Sequence, residues 1–553
     1  MNGILLLVLS SVCLAAAYVV YGGYLAKKWG IDANKKTPAH ELNDGVDYVP
    51  GKRNVVFGHQ FASIAGAGPI NGPIIAAMFG WIPVLLWILV GGIFIGAVQD
   101  FATMYASVKN KGRTIGYVIE QYIGQTGKKL FLMFVWLFSI LVIAAFADIV
   151  AQTFSGFSTN GGKIAANASV ASTSIFFIVA AVGLGFFIRR KPNNLLQTAV
   201  AIILLAVCVS LGLLFPIYMT QHFWLPFVFG YIFIACITPV WALLQPRDYL
   251  NSFLLIAMMI CAFVGVIVNN PKMNIAPFTG FYVNGNYLFP ILFVTVACGA
   301  VSGFHALIAS GTASKQIDNE RDMLPVSFGA MLIECLLAVL ALIAVGALAS
   351  GGKLPQGTPP VIFANAVSGF LMTLGLPQNI VYTLVTLSIS AFALTSLDSC
   401  ARIGRLAFQE LFMNDKKSSL LVKILCNKYF ATTATLAMGY SLALRGYQDI
   451  WPLFGSANQL LAALALIACA VFLKKTNRSG FPLYIPFAFM LAVTFFALGI
   501  SIYKLASKIP ENFVVAADGM QLLFAVLLLG LGIVVAVKGV KALKQQNKFL
   551  GRV

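Results

Sequence analysis

The residues best suited to binding chemistry lie in two apolar stretches that glycine and proline interrupt. Residues 63–73 read Ser-Ile-Ala-Gly-Ala-Gly-Pro-Ile-Asn-Gly-Pro, and residues 297–312 include Gly299, Gly303 and His305. Neither stretch is expected to form a continuous helix, because proline removes a backbone donor and glycine weakens helices. In a bilayer an unwound backbone is tolerated only where it is buried in protein or lines a polar cavity. Each break therefore indicates either a binding site or a kink at a packing seam.

A half-helix that begins inside the membrane directs unpaired N–H groups and a partial positive charge at whatever lies in front of it. We predict such helix starts near residues 70–72 and 302–305. Two converging helix N-termini favour a small anion, and the simplest candidate is the carboxylate of an organic acid, an amino acid or a peptide. The predicted substrate-binding residues are Gly66, Ala67, Gly68, Asn71, Ser302, Gly303, Phe304 and His305.

The unwound carbonyls of the first break could also coordinate a cation, together with hydroxyl groups from a later apolar stretch. Residues 395–399 of that stretch read Thr-Ser-Leu-Asp-Ser, and Arg402 follows. Our hypothesis is an ion site in which Asp398 accepts a proton or a cation, and the alternative is that Asp398 pairs with Arg402 one helical turn away. The predicted ion-coupling residues are Ala62, Ser63, Ile64, Thr395, Ser396, Asp398 and Ser399.

Several polar residues are candidates for gating or proton transfer. Histidine titrates near neutral pH, so His305 either changes protonation during function or serves as a neutral hydrogen-bonding group. His59 and Gln60 precede the first break, where either a solvated helix end or an inner gate is consistent with the sequence. Asp100 is an acid inside an apolar span and is therefore a functional candidate. The predicted gating residues are His59, Gln60, Asp100 and Arg402.

The composition determines which elements position these groups. The chain has 553 residues, of which 59% are hydrophobic and 10% charged, and its mean hydropathy is +0.89. Such a chain is a polytopic membrane protein rather than a water-soluble globule. The net charge of +19 comes from short loops between apolar runs, so we predict the lipid bilayer as a partner and no nucleic acid. The predicted fold is all-α.

Apolar runs of about 20 residues predict fifteen transmembrane helices. Alternate loops hold 31 of the 37 basic residues, which supports this count because Lys and Arg are retained on the cytoplasmic side. This pattern predicts an N-terminus outside and a C-terminus in the cytoplasm. Residues 114–124 and 358–374 are apolar but short for spans. The spans lie near 3–24, 59–79, 81–108, 129–154, 170–188, 194–216, 222–246, 249–269, 287–312, 325–350, 379–410, 421–443, 449–473, 482–505 and 519–541.

The spacing of the two breaks predicts internal symmetry. They fall on the second and ninth spans, and an odd separation makes them cross the membrane in opposite directions. The same shift pairs Asp100 with Glu334 and Asp148 with Asp398. We infer an inverted repeat of about five core spans within a single transmembrane domain, the architecture of broken-helix transporters. Its parts are a first span and cytoplasmic loop (1–58), the core with added spans (59–473), and two C-terminal spans with a basic tail (474–553).

Other chemistries have little support in the sequence. The nine cysteines stand singly without a CxxC pair, so neither a disulfide nor a thiolate metal site is predicted. We find no GxGD, HExxH or GxSxG motif, and we predict no enzyme activity, no catalytic or metal-binding residue and no cofactor. Asn458 and Gln459 are interpreted either as interhelical hydrogen-bonding groups or as lining of a pathway.

Four motifs resemble those of the carbon starvation protein CstA family: residues 58–70, 238–248, 302–305 and 397–405. The resemblance covers roughly residues 1–475. It implies an inner-membrane protein linked to nutrient scavenging under carbon starvation, in a family described as peptide transporters with relatives that take up pyruvate with protons. It also implies the five-plus-five inverted repeat of the amino acid, polyamine and organocation transporters. Their usual sodium position would correspond to Ala62, Ile64, Thr395, Ser396 and Ser399.

We therefore expect a secondary active transporter in the plasma (inner) membrane of a prokaryote. It would import a small carboxylate-bearing nutrient, either short peptides or pyruvate, coupled to protons or sodium. The alternative is a transporter-like nutrient receptor or sensor that acts through a partner. The sequence leaves open the choice between peptide and pyruvate, the coupling ion and the oligomeric state.

Overall fold

The computed structural model describes residues 2–545 except 46–47, 159–160, 191–193, 239–242, 414–419 and 510–517. It describes only the backbone of residues 188–190, 194–195, 197, 244–246 and 249. Most of the loop in the second sequence motif, Pro239 to Ala242, lies outside the described residues.

The described part of the chain is almost entirely helical, which confirms the all-α prediction. One two-stranded ribbon pairs β1 (Tyr282–Val283) with β2 (Asn286–Tyr287). The helices in chain order are α1 (Gly3–Ala17), α2 (Gly23–Trp29), α3 (Pro38–Glu41), α4 (Arg53–Ile64), α5 (Gly68–Ala76), α6 (Trp81–Leu86), α7 (Ala97–Lys109), α8 (Ile115–Ile123), α9 (Gln125–Phe154), α10 (Ala165–Arg190), α11 (Asn194–Leu214), α12 (Gln221–Ile237), α13 (Leu244–Asn269), α14 (Leu288–Thr295), α15 (Gly303–Gly311), α16 (Ala330–Leu348), α17 (Pro359–Met372), α18 (Gln378–Phe412), α19 (Leu420–Leu425), α20 (Lys428–Ala443), α21 (Tyr447–Lys475), α22 (Phe481–Ala506) and α23 (Asp518–Lys544).

Several of these helices join into longer spans. Segments of π-helix at Tyr18–Gly22 and Trp87–Gly96 connect α1 to α2 and α6 to α7, and a third at Leu324–Gly329 leads into α16. Among the described residues, ten helical segments are long and apolar enough to cross a membrane, or eleven if the bent pair α4 and α5 forms one span. The chain is therefore a polytopic membrane protein.

The count of fifteen spans and the inverted repeat remain predictions. Helices α12 and α20 occupy predicted spans but have 17 and 16 residues, and α14 and α15 divide the predicted ninth span. A membrane helix needs about 20 apolar residues to cross unaided. The two short apolar stretches form α8, with 9 residues, and α17, with 14 residues.

The chain divides into two compact units, which we describe separately. The first unit comprises residues 1–5, 139–275 and 343–450, and contains α10–α13 and α17–α20. The second comprises residues 6–138, 276–342 and 451–553, and contains α2–α8, α14, α15, α22 and α23. Helices α1, α9, α16 and α21 contribute residues to both units. The predicted boundaries near residues 58 and 473 remain predictions.

The first break lies at residues 65–67, where α4 and α5 meet at an angle of 46°. Helix α5 begins at Gly68, a few residues before the predicted start at 70–72. The physical reason is Pro69, because proline fits the first turn of a helix, where its missing N–H is not needed. The second break spans residues 296–302, and α15 begins at Gly303 as predicted.

Candidate functional site

The two breaks meet within the second unit. A Cβ atom added to Gly68 would lie 2.5 Å from the Cβ atom of Cys298, and one added to Gly72 would lie 2.7 Å from the Thr295 carbonyl oxygen. Only glycine permits this approach, so α5 packs directly against the chain that enters the second break. The structure thus places the two breaks in contact, and the predicted substrate-binding roles of their residues remain predictions.

Two buried amides flank the first break without hydrogen-bond partners. Gln60 on α4 and Asn71 on α5 are each 0% exposed, and none of their four side-chain nitrogen and oxygen atoms has a partner among the described residues. An unsatisfied buried polar group costs roughly 1–3 kcal/mol, so such groups in a native protein call for a ligand or a water. The Ser63 hydroxyl, by contrast, donates to the His59 carbonyl oxygen at 2.8 Å.

The start of α15 is held by an amide from α21. The Phe304 N–H donates to Asn458 Oδ1 at 3.0 Å, and Asn458 Nδ2 donates to the Ser302 hydroxyl at 3.1 Å. The Ser302 carbonyl oxygen accepts from Gln99 Nε2 at 2.7 Å. The Phe304 N–H is therefore occupied by protein, contrary to the expectation that it faces a substrate. Asn458 is an interhelical hydrogen-bonding group here, one of its two interpretations.

A buried cluster of ionisable side chains adjoins this helix start. His305 Nδ1 lies 3.0 Å from Asp100 Oδ2, and His305 Nε2 lies 3.3 Å from Glu334 Oε2. The three side chains come from α15, α7 and α16 and are all 0% exposed. The contact with Asp100 is a hydrogen bond, whereas the contact with Glu334 is ionic without hydrogen-bond geometry. Gln99 Nε2 also donates to Asp100 Oδ1, at 3.3 Å.

The charges of this cluster suit it to binding a proton. Two carboxylates and one imidazolium would leave one uncompensated negative charge in a site that water does not reach. One further proton neutralises the cluster, and buried charge is costly unless it is paired. The sequence analysis named Asp100 and His305 separately and treated Glu334 only as the repeat mate of Asp100. Their contact joins residues 205 positions apart, and no local pattern signals it.

A second charged network lies in the first unit. Arg247 donates to Asp398 Oδ2 and to Asp248 Oδ1, and the Tyr231 hydroxyl donates to Asp398 Oδ2 at 2.9 Å. The alternative pairing of Asp398 with Arg402 is therefore wrong. Arg402 instead donates to the carbonyl oxygens of Ala235 and Thr238. These carbonyls lie at the end of α12 and just beyond it, where a helix leaves its last carbonyls without internal donors.

The other residues of the predicted ion site fall in both units. Ala62, Ser63 and Ile64 form the last turn of α4 in the second unit, whereas Thr395, Ser396 and Ser399 lie on α18 in the first. The Thr395 hydroxyl donates to Asp248 Oδ1 at 3.1 Å and accepts from Asn251 Nδ2 at 2.8 Å. The ion site and the gating roles remain predictions.

Asp148, the predicted repeat mate of Asp398, has a different environment. Its carboxylate accepts from Gln152 Nε2, Gln221 Nε2 and the Tyr447 N–H at 2.8, 2.6 and 2.7 Å. These donors are all neutral, so this acid is stabilised by hydrogen bonds rather than by a cation.

These features define a polytopic helical membrane protein with buried ionisable groups beside interrupted helices. The chain belongs to the carbon starvation protein CstA family, whose model matches residues 2–355 and 352–497.

Named relatives cover most of the chain. It is 32% identical over 605 residues to the peptide transporter CstA of Bacillus subtilis (strain 168), covering 99% of this chain and 98% of that protein. It is 31% identical over 608 residues to the pyruvate/proton symporter BtsT of Escherichia coli (strain K12), covering 91% of this chain and 82% of that protein. The crystal structure of a manganese transporter from Eremococcus coleocola aligns with a TM-score of 0.46 at 13% identity, covering 91% of this chain and 99% of that one.

Proposed function

We propose that this protein is a secondary active transporter that imports a small carboxylate-bearing nutrient, pyruvate or short peptides, together with protons. The names of its relatives support transport of these two substrate classes, and one relative is named as a proton symporter. No observation favours the alternative of a nutrient receptor, and relatives named as transporters support a protein without enzyme activity.

The buried cluster of His305, Asp100 and Glu334 carries the proposal. It joins the first turn of α15, which follows a helix break, to two acids on neighbouring helices. A proton that enters the cluster changes its net charge and therefore the strength of the contacts that hold α15. Proton binding and the position of the half-helix are thereby linked, and linkage of this kind is reciprocal.

The region around the first break is the proposed substrate site. Gln60 and Asn71 offer buried amide donors and acceptors that have no partner among the described residues. Amide N–H groups can donate to a carboxylate, and amide oxygens can accept from a peptide N–H. Gly66, Ala67 and Gly68 are the buried, interrupted backbone of this region. The Gly303 start of α15 completes the region.

The proposed orientation follows the basic residues. We place the protein in the inner membrane of a bacterium, with the N-terminus outside and the C-terminus in the cytoplasm, because alternate loops hold 31 of 37 Lys and Arg residues. In this orientation the nutrient and the protons enter the cell together.

Uptake into proteoliposomes tests the proposal. Purified full-length protein is reconstituted, and accumulation of labelled pyruvate and of labelled dialanine is measured with an imposed proton gradient, an imposed sodium gradient or neither. We expect accumulation of at least one substrate above its external concentration only with the proton gradient, acid outside. Protein-free vesicles are the control. Accumulation with sodium alone would refute proton coupling, and no accumulation of either substrate would refute the proposed transport.

A further inference from the structure

Arg247 is an unusually buried cation in the first unit. Its side chain is 1% exposed, and it lies near the start of α13. Burying a guanidinium is costly unless its donors are paired, so the residues around it show what the site is built to hold. Two carboxylates, from Asp398 and Asp248, occupy it.

The two carboxylates are held differently. Asp248 Oδ1 accepts from both Arg247 and Thr395, and the Asp248 side chain is 19% exposed. Asp398 is 0% exposed and binds through one oxygen only, because its Oδ1 atom has no hydrogen-bond partner in the described part of the chain. Arg247 Nε also lacks a partner among these residues. Arg247 therefore does not make the two-point contact that guanidinium and carboxylate groups favour.

A small cavity adjoins the free side of Arg247. It measures about 10 Å³, and Arg247, Asn251 and Ser174 contribute its polar lining. Asn251 Oδ1 and the Ser174 hydroxyl have no hydrogen-bond partner among the described residues, and neither has Arg247 Nε. A cavity of this size admits about one water molecule, so a carboxylate can enter only if Asp398 moves away. The unpaired groups around the cavity indicate a polar ligand.

We propose that Arg247 is a carboxylate-binding group at which the transported anion displaces Asp398. This inference rests on the proposed function, because it concerns the same carboxylate-bearing substrate, for which Arg247 is a second binding position besides the amides of the first break. In this conformation the Asp398 carboxylate binds the Arg247 guanidinium at the position that the anion would take. The entering carboxylate accepts from the Arg247 Nη1 group that Asp398 vacates.

Displacement requires a proton at Asp398. An anion that entered alone would add a negative charge to a buried site and leave Asp398 without its cation. When Asp398 takes up one proton from water, its carboxylate becomes a neutral carboxylic acid while its hydrogen bond to Arg247 breaks. The anion and the proton together leave the net charge of the site unchanged. Anion binding is thereby linked to uptake of one proton.

The groups that act electrostatically on Asp398 come from three helices. Tyr231 and Cys236 lie on α12, Arg247 and Asp248 on α13, and Arg402 on α18 itself. Helices α10, α17, α19 and α20 also pack on α18, and no charged side chain of theirs, including Lys423 of α19, acts on Asp398 among the described residues. Among the described residues, Arg247 is the one cation hydrogen-bonded to Asp398. When Asp398 loses this cation, a proton must neutralise its negative charge.

Binding of pyruvate as a function of pH tests the exchange. Calorimetry on the detergent-purified full-length protein gives the Kd at a series of pH values. Because binding takes up a proton, the Kd of the wild type is expected to rise about tenfold per pH unit where free Asp398 is ionised. Asp398→Asn mimics the protonated acid, so its pyruvate binding should persist while the slope of log Kd against pH falls by about one. Equal slopes in the two proteins would overturn the proposal.

Removal of the cation alone could prevent folding, because it would leave Asp398 buried without a partner. The double variant Arg247→Gln with Asp398→Asn avoids this by removing both charges. We expect it to fold, as judged by thermal melting, and to bind pyruvate at least about tenfold more weakly than Asp398→Asn. Equal affinity in these two variants would show that Arg247 does not bind the anion.

Arg405→Gln is the matched control. Arg405 lies on the same helix as Asp398 but donates to the Cys236 carbonyl oxygen, at 2.8 Å. The control should retain the wild-type Kd and its pH dependence, and a loss of affinity equal to that of the double variant would argue against a specific role of Arg247.

Failure of the proposed function is distinguishable from failure of this inference, since it would appear as absent proton-driven accumulation by the wild-type protein. Failure of pyruvate to bind the wild type at any pH would also overturn the inference.

Discussion

At the scale of single residues, the buried acids of this protein differ in what compensates their charge. Glu334 and Asp100 share one histidine, Asp398 faces an arginine, and Asp148 accepts only from neutral donors. The negative charge of a buried carboxylate is therefore compensated in three different ways in this protein. Both the acids beside His305 and those beside Arg247 outnumber the cation that they contact by one.

Glu334→Gln should separate proton coupling from substrate binding. The amide keeps the size of the side chain but removes one negative charge, so the cluster no longer requires the additional proton. We expect proton-driven accumulation to fall at least about tenfold, while exchange of labelled for unlabelled substrate across the membrane persists. Both are measured in the same proteoliposomes.

Asp148→Asn is the control for that substitution. It also removes a buried carboxylate, but from a site with neutral donors. Its thermal stability should fall because a charge-assisted hydrogen bond is lost, while accumulation by the folded protein stays proton-driven. Equal loss of coupling in both variants would argue against a specific role for the His305 cluster.

Asn71→Leu should stabilise the protein and weaken substrate binding. Both polar atoms of the Asn71 side chain are buried without partners among the described residues, so leucine removes an unsatisfied amide worth about 1 kcal/mol or more. The melting temperature should therefore rise, and the KM for substrate uptake should increase. Asn458→Leu is the matched control at a bonded amide, and its melting temperature should fall. Unchanged KM in Asn71→Leu would exclude Asn71 from the substrate site.

At the scale of elements, the half-helix α15 depends on close packing against α21. A Cβ atom on Gly303 would lie 2.5 Å from the Ala462 nitrogen and from the Leu461 Cβ atom. The side chain of Asn458, also on α21, satisfies the Phe304 N–H. The position of the half-helix is thus fixed both by the absence of a side chain and by one amide.

Gly303→Ala should destabilise this contact. Overpacking a close contact costs about 1–3 kcal/mol, and here the neighbouring atoms include backbone atoms that cannot rotate away. Gly311→Ala is the control on the same helix, because nothing lies within 4 Å of a Cβ atom placed there. The melting temperature and the rate of substrate uptake are measured for both variants, and both quantities should be lower for Gly303→Ala. Equal melting temperatures would contradict the packing at Gly303.

At the scale of the whole molecule, charge asymmetry predicts how the chain crosses the membrane. The described residues give ten or eleven long apolar spans and the sequence predicts fifteen, and only an odd count places the two termini on opposite sides. The proposed orientation of the termini therefore requires an odd number of spans.

Cysteine labelling in intact cells tests this orientation. In a variant without its nine native cysteines, Lys353→Cys should react with a membrane-impermeant maleimide, whereas Lys423→Cys should react only after permeabilisation. Both positions are exposed to solvent or lipid in the structure, so access rather than burial decides the result. The opposite pattern would overturn the proposed orientation.

The sequence by itself determined the class of protein, both helix breaks and most of the candidate polar residues, because hydropathy, glycine and proline act locally. Only the tertiary structure decided which charges meet. Local helical spacing allowed Asp398 to pair with Arg402, four residues away, yet packing brought Asp398 to Arg247, 151 residues away. Packing likewise brought His305 to Asp100, and it placed Asn458 where its side chain caps the start of α15. In a buried interior each charge needs a compensating partner, and helix packing, not sequence distance, determines which one lies within reach.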